Sequence, residues 1–238
     1  MTVDLLAVMA HPDDAELLCG GTLARAADQG HRTGILDLTR GEMGSRGTPE
    51  LRAEEATAAA KILGVAERAN AGLADGHLAN TDATRRTVVD QIRRFRPHVV
   101  LLPYMTSRHP DHRVASELVR DACFLSGLKN YPADGDPFRP TKLCYTLSFR
   151  EDTIKPTFVV DIAAQFERKV AAIACFASQF DGVRQAGEAY PTGQTFADLI
   201  ASQNSHYGSL IRARYGEPFW TSETMAVDDI VALGVHSL

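Results

Sequence analysis

Short aliphatic runs alternate with longer segments of helical period through the first part of this chain. The run DLLAVMA, at 4–10, is followed by a segment whose apolar residues recur at helical spacing up to Gly30. The same order returns several times before HVVLLPY, at 98–104, the clearest of these runs. Strands that alternate with helices in this way form a mostly parallel sheet with helices on both faces. The sequence therefore predicts an α/β fold of the Rossmann-like type.

The remaining predicted elements extend this pattern. Strand predictions in the first part of the chain fall at 4–10, 32–39, 66–71 and 98–104. The helix between the second and third begins on Pro49 and ends on Gly64, as helices prefer. Later, two extended runs, KLCYTLSF and TFVVDI, precede predicted helices at 163–177 and 194–214. Since no linker or repeat is visible, we expect one domain over 1–238 with a C-terminal elaboration, the alternative being a separate lobe.

The charge balance and the cysteines limit the class of partner. The 25 basic and 30 acidic residues give a net charge of −5 without a long block of one sign, which argues against nucleic acid as a partner. No segment approaches the roughly 20 apolar residues that a membrane helix needs, so no membrane partner is expected. The four cysteines are widely spaced and typical of free thiols in a reducing compartment. We therefore expect a cytoplasmic protein with a small, polar ligand.

Two His-Pro-Asp motifs follow predicted strands. AHPDD comes directly after the strand at 4–10, and RHPDH follows the strand at 98–104 within a few residues. Ligands of open α/β sheets bind at the carboxyl ends of the strands. We therefore expect the two motifs to meet at one edge of the sheet, although they are far apart in sequence.

The two motifs together predict a metal site. His11, Asp14 and His112 offer two imidazoles and one carboxylate, a donor set that suits zinc or a non-haem iron. Three protein ligands leave one coordination position for water, which indicates a catalytic site. The alternative interpretation is that the aspartates cap the following helix and that His112 is an ordinary first-turn residue. Capping preferences alone do not explain the same triplet at two strand ends.

The other polar residues of the motifs have complementary roles in such a site. Asp13 is expected to face away from Asp14 and to act as a general base for the attacking water. His109 is expected to donate a hydrogen bond or a proton to an oxyanion. Asp111 is expected to hold the His109 imidazole protonated or in one tautomer.

The motifs also carry a resemblance to a known family. AHPDD with a later HPDH is similar to the LmbE-like (PIG-L) metal-dependent N-acetylglucosamine deacetylases, and the likeness runs over most of the chain. TRGEMGSRGT, LRAEEATAAAKILG, LADGHL and YGEPFWTSE resemble the bacillithiol-pathway branch, which removes acetyl from N-acetylglucosaminyl-malate. The resemblance implies the zinc ligands, general base and oxyanion donor named above.

Further expectations come from the resemblance alone. It suggests Arg52 as a substrate contact near the metal, with Arg108 and Tyr190 at the rim of the pocket. It also suggests a homo-oligomer, with a hexamer as the form implied.

Three other interpretations stay open. In the first, the protein catalyses the same deacetylation on another N-acyl sugar, such as a mycothiol-type conjugate or a chitooligosaccharide. In the second, the chain is a nucleotide-binding module without turnover. The loop RGEMGSRG argues against this alternative, because it lacks both glycine patterns of phosphate-binding loops. In the third, the chain binds a metal without catalysis, in a site closed by a fourth protein ligand.

Overall fold

The computed structural model describes residues 2–147, 149, 151, 154–180 and 195–235. Its strands are β1 Leu5–Met9, β2 Thr33–Thr39, β3 Glu67–Leu73, β4 Val99–Pro103, β5 Lys142–Thr146, β6 Phe158–Asp161 and β7 Gly216–Trp220. Its helices are α1 Asp14–Asp28, α2 Pro49–Leu63, α3 Asp82–Phe95, α4 Pro110–Leu125, α5 Phe166–Ala174, α6 Ala177–Phe180 and α7 Phe196–Ser209.

All seven strands of the described residues join one sheet in the order β3-β2-β1-β4-β5-β7-β6. The strands from β3 to β5 pair in parallel, and β7 runs antiparallel to both of its neighbours. This mostly parallel sheet confirms the predicted α/β fold class. The chain leaves β1 toward β2 and returns to the other side of β1 as β4, so the sheet has its switch point between β1 and β4. Such a point is where open α/β sheets place their ligands.

The central strands are buried on both faces, as parallel strands require. Leu6 and Val8 of β1 pack in one apolar cluster with residues of α3 and α4. Ala7 and Met9 alternate with them and pack in another cluster with residues of α1. Helices therefore cover both sides of β1 and leave its carboxyl end as the place where polar side chains collect.

The predicted strands of the first part coincide with β1 to β4 to within two residues at each end. The C-terminal part differs more. The predicted helix at 163–177 is observed as the shorter α5, which ends at Ala174, and a separate short helix, α6, begins at Ala177. The helix predicted at 194–214 is observed as α7, which ends at Ser209. The sequence analysis did not predict β7, because Pro218 and Glu217 inside it are atypical of a strand between two others.

No helix of the described residues is long and apolar enough to span a membrane.

A buried arginine ties α3 to the loop that follows α4. The guanidinium of Arg93 donates to the carbonyl oxygens of Ser126, Leu128, Ala133 and Gly135 at 2.7–3.2 Å. Arg93 is buried, and these four partners are all backbone carbonyls. This side chain therefore supplies donors that the loop cannot supply itself.

Replacing Arg93 by methionine should lower the free energy of unfolding by about 1–3 kcal/mol, because the buried carbonyl of Ser126 and three more exposed carbonyls of the loop lose their donor. Arg86, on the exposed side of the same helix, gives the control. Arg86→Met should change the free energy of unfolding by less than about 0.5 kcal/mol in urea denaturation. Equal stabilities of the two variants would contradict the role assigned to Arg93.

Candidate active site

The two His-Pro-Asp motifs meet at the carboxyl ends of β1 and β4. These strands are neighbours in register, with Leu5 opposite Val99 and Ala7 opposite Leu101. The rings of His11, His109 and His112 consequently form a triangle with centroid separations of 4.7 Å, 5.3 Å and 5.0 Å. Adjacent strands thus bring together residues that are distant in sequence.

The predicted ligands gather around one carboxylate oxygen. Asp14 Oδ2 lies 3.4 Å from His11 Nδ1 and 3.1 Å from His112 Nε2. Ligand atoms on a tetrahedral zinc, each about 2.0–2.1 Å from the ion, are about 3.4 Å apart. The two spacings from Asp14 therefore match those of ligands that share one ion. Two imidazoles and a carboxylate are also the donors expected for zinc or iron, so these residues fit a divalent metal.

The capping interpretation does not describe the β1–α1 turn. Asp13 occupies the position before α1, but its side chain accepts no capping hydrogen bond from the helix. Asp14 Oδ2 accepts from the backbone amide of His11 at 2.9 Å, which holds the carboxylate over the turn. His112 lies in the first turn of α4, and its ring nitrogen faces Asp14. Both side chains thus face the cluster.

Two further carboxylates hold the other nitrogen of His11. His11 Nε2 lies 3.0 Å from Asp75 Oδ1 and 3.3 Å from Asp111 Oδ2. Carboxylates that bind the second nitrogen of a ligand histidine fix its tautomer and its orientation. Nδ1 is thereby left free to face Asp14. The sequence analysis missed Asp75, although an Asp-Gly pair directly beyond a third strand at the same sheet edge was a usable signal.

Asp111 differs from its predicted role. Its carboxylate does not hold His109; it accepts from the amides of Gly76 at 2.7 Å and Leu78 at 3.4 Å, besides facing His11. Asp111 contacts His109 through its backbone amide, which donates to His109 Nδ1 at 3.2 Å. The reason is geometric, because Asp111 lies inside α4 while His109 is the N-cap of that helix.

The backbone contact gives His109 a defined tautomer. Since Nδ1 accepts the Asp111 amide, the proton of the neutral ring is on Nε2. Burial and the neighbouring His11 and His112 lower the pKa of His109, which favours this neutral form. His109 therefore presents an N–H donor to the cluster.

Two groups of residues offer metal-ligand atoms that lie within 4.8 Å of one another. The first group is His11, His109 and His112, and the second is His11, Asp75 and Asp111. In the second group, however, His11 is the only imidazole, and its Nε2 lies within hydrogen-bond distance of both carboxylates, at 3.0 Å and 3.3 Å. We interpret that group as hydrogen-bonded support for His11.

The site is strongly polarised. Burial disfavours a charged His11, but the carboxylates of Asp14, Asp75 and Asp13 outweigh it and raise its pKa to about 9. Burial also disfavours ionised Asp14, yet His112 and His11 outweigh it and hold the pKa of Asp14 well below its usual range. The cluster thus attracts positive charge, which a divalent cation supplies in concentrated form.

Asp13 is oriented differently from Asp14. Its φ of 113° turns the backbone between the two aspartates, and Asp13 Oδ2 accepts from Arg52 Nη2 at 3.0 Å. Burial raises the pKa of Asp13 to about 7, and the charges of Arg52 and His11 oppose that rise. A carboxylate with a pKa near the working pH is suited to general base catalysis.

Arg52 lies behind the turn and is buried. Besides Asp13, its guanidinium donates to the carbonyl oxygens of Pro12 and Gly41. Gly41 has a φ of 67°, and a Cβ there would lie 1.8 Å from Arg52 Nη1, so only glycine allows this contact. The carboxylate of Glu55, on the next turn of α2, accepts a hydrogen bond from the Ser178 hydroxyl. Arg52 therefore holds the β1–α1 turn in place.

Of the two residues predicted at the rim of the pocket, Arg108 and Tyr190, the structure describes only Arg108. Arg108, one residue before His109, is exposed, and its Nε lies 3.2 Å from Glu151 Oε1. Tyr190 lies outside the described residues.

Comparison with known proteins agrees with this site. The sequence pattern of the PIG-L family, described as GlcNAc-PI de-N-acetylase, matches residues 6–123, which contain both motifs. Diacetylchitobiose deacetylase of Thermococcus kodakarensis is 31% identical over 228 residues, which cover 90% of this chain and 80% of that protein. The 1D-myo-inositol 2-acetamido-2-deoxy-α-D-glucopyranoside deacetylase of Rhodococcus jostii is 32% identical over 179 residues, covering 60% of this chain and 61% of that protein.

A solved structure extends the likeness to the whole described fold. The conserved protein TT1542 from Thermus thermophilus has a TM-score of 0.85 and 41% sequence identity, covering 95% of this chain and 98% of that one. Its strands and helices match the mixed sheet described above. The chain therefore belongs to the PIG-L family and is a hydrolase that acts on amides.

Proposed function

We propose that this protein removes the acetyl group from an N-acetylglucosamine conjugate, with a zinc ion held by His11, Asp14 and His112. The observation that carries the proposal is the position of Asp14 Oδ2, 3.4 Å from His11 Nδ1 and 3.1 Å from His112 Nε2. Iron is the alternative metal, because the same donors suit both ions. When bound, the metal supplies Lewis-acid polarisation of the acetyl carbonyl and lowers the pKa of water.

Asp13 and His109 have different roles in the reaction. Asp13 accepts a proton from the attacking water, because its carboxylate is buried beside the ligands and held by Arg52. His109 donates its Nε2 proton in a hydrogen bond to the carbonyl oxygen as negative charge develops there. The departing amine takes the proton that Asp13 accepted from the water, because neutral His109 carries a single ring proton, on Nε2, and its pKa is lowered. The products are acetate and a free amino sugar.

The remaining polar groups position these residues. Asp75 and Asp111 orient His11, and Arg52 fixes Asp13 and the carbonyl oxygen of Pro12.

The β1–α1 turn also argues against a nucleotide-binding module. Dinucleotide folds present backbone amides to phosphate at this place, whereas this chain presents Asp13 and Asp14, which repel phosphate.

For the substrate, we propose N-acetylglucosaminyl-malate of bacillithiol biosynthesis. Support comes from the sequence stretches quoted for that branch. Arg108, which is exposed and pairs with Glu151 at 3.2 Å, would exchange that partner for a malate carboxylate. Conjugates of the mycothiol type and diacetylchitobiose are the competing substrates, since enzymes for both are relatives of this chain. We further propose that the chain acts as a single domain in a cytoplasmic homo-oligomer.

Metal removal and a substrate panel test the activity. Dialysis against a chelator should abolish acetate release, and added zinc chloride should restore it. Among N-acetylglucosaminyl-malate, diacetylchitobiose and N-acetylglucosaminyl-inositol, the malate conjugate should show the highest kcat/KM. A higher value for another conjugate would overturn the malate proposal, and no acetate from any of them would overturn the deacetylase.

Replacing Asp13 by asparagine tests the general base. The change keeps the side-chain shape but removes the proton acceptor, so kcat should fall by about 10²- to 10⁴-fold. Zinc content should stay at the wild-type level, as measured by elemental analysis. Asp82→Asn, the same change at an exposed aspartate in the first turn of α3, should leave kcat unchanged. Retained turnover in the Asp13 variant would rule out this role.

Two substitutions of His109 separate catalysis from helix capping. His109→Asn keeps a side-chain oxygen for the Asp111 amide but loses the Nε2 donor, whereas His109→Ala loses both. Both variants should lose about 10²- to 10³-fold in kcat. Only the alanine variant should lose about 1 kcal/mol of stability, since capping is lost there alone. If asparagine preserves kcat, His109 acts only as a cap.

A further inference from the structure

Helix α1, which carries the catalytic turn at its start, is broken at Cys19. The backbone there has φ −146° and ψ 18°, values outside the helical region, so a first segment is separated from the rest. In an unbroken α-helix each amide donates to the carbonyl four residues earlier. The Gly21 amide would then bind the Leu17 carbonyl.

A buried ion pair takes the place of that helical hydrogen bond. Lys169 Nζ, on α5, donates to the carbonyl oxygen of Leu17 at 2.8 Å. Glu217 Oε1, on β7, accepts from the amide of Gly21 at 2.9 Å. The two side chains pair with each other at 2.6 Å and are 1% and 0% exposed. Side chains inserted into the helical ladder are an established cause of sharp kinks.

The charges suit the two helix ends that the break creates. Glu217 Oε2 accepts from both the amide and the hydroxyl of Thr22, at 2.7 Å and 2.6 Å. The carboxylate therefore caps the start of the second segment, where a negative charge is favourable. Lys169 binds a carbonyl at the end of the first segment, where a positive charge is favourable. The pair thus stabilises the broken helix rather than a straight one.

The glycines at the break let the surrounding elements approach. A Cβ on Gly21 would lie 2.7 Å from the side chain of Ile162, just beyond β6. A Cβ on Gly20 would lie 3.6 Å from Lys169 Cγ, an ordinary contact. Gly21 is therefore the position at which the packing against the kink excludes a side chain.

The first segment of α1 is held by buried cations along its length. Arg52 binds Pro12 and Asp13, and Arg68 binds Glu16 at 2.6 Å while it also binds Asp37 of β2. Lys169 binds the far end, at Leu17. The direction of this short segment decides where Asp13 and Asp14 point.

We propose that Lys169 and Glu217 are positioning residues for the catalytic turn. By breaking α1 at Cys19, they direct its first segment so that Asp14 faces the two imidazoles while Asp13 stays against Arg52. This inference rests on the proposed deacetylase function. It assigns a role in catalysis to two residues that lie outside both His-Pro-Asp motifs.

The test compares an apolar replacement of the pair with a matched control. Lys169→Met with Glu217→Met replaces the buried ion pair by apolar side chains, a change that proteins often tolerate in stability. The control is Arg168→Met. Arg168 also joins α5 to α1, but beyond the break, at Ala24 and Asp28.

Each variant is purified with its metal, and kcat and KM are measured with whichever of N-acetylglucosaminyl-malate, diacetylchitobiose and N-acetylglucosaminyl-inositol gives the wild type its highest kcat/KM. Zinc affinity is measured separately by equilibrium dialysis after metal removal. The double variant should lose about 10- to 100-fold in zinc affinity and kcat, as when groups that orient metal ligands are lost. Its KM should change little, and Arg168→Met should match the wild type in all three values.

A folded double variant with wild-type kcat and zinc affinity would overturn the proposal, because the pair would then serve stability alone. If the double variant does not fold, Glu217→Gln keeps the side-chain volume and gives the same decision through its zinc affinity. If the wild type releases no acetate, the proposed function fails. The difference in zinc affinity between the double variant and Arg168→Met still decides the positioning role.

Discussion

The balance of buried charge around the end of β1 governs this structure. Carboxylates buried without partners are costly, so each needs cations or hydrogen-bond donors. Three cations near α1 provide this balance: Arg52 pairs with Asp13, Arg68 with Glu16 and Asp37, and Lys169 with Glu217. Among the described residues, Asp14, Asp75 and Asp111 form ion pairs only with His11 and His112. The place where arginine and lysine are missing is the place where a divalent cation fits.

The sheet topology creates this concentration of charge. Because β1 lies between β2 and β4, the turns that leave β1 and β4 emerge side by side at the switch point. The loop after β3 adds Asp75, and the loop after β2 adds the Gly41 carbonyl that holds Arg52. The loops after β1, β2, β3 and β4 thus each contribute either a polar group of the site or a support for one. The helices α3 and α4 on one face, and α1 on the other, keep the strand ends in place.

Local sequence patterns were sufficient to predict the first part of the fold and the meeting of the two motifs. Strand and helix periodicity are local properties, and the parallel sheet then brings the strand ends together. Contacts between distant elements were not predictable in this way. Asp111 was assigned to its sequence neighbour His109, whereas its carboxylate faces His11 and the loop at Gly76. Strand β7 and the insertion of Lys169 and Glu217 into α1 likewise depend on tertiary packing.

The most direct test of the account is an anomalous difference map from crystals grown with zinc. The account predicts one strong peak at bonding distance, about 2.0–2.2 Å, from Asp14 and from one nitrogen each of His11 and His112. A peak bound instead by Asp75 and Asp111, or the absence of any peak among these residues, would contradict it.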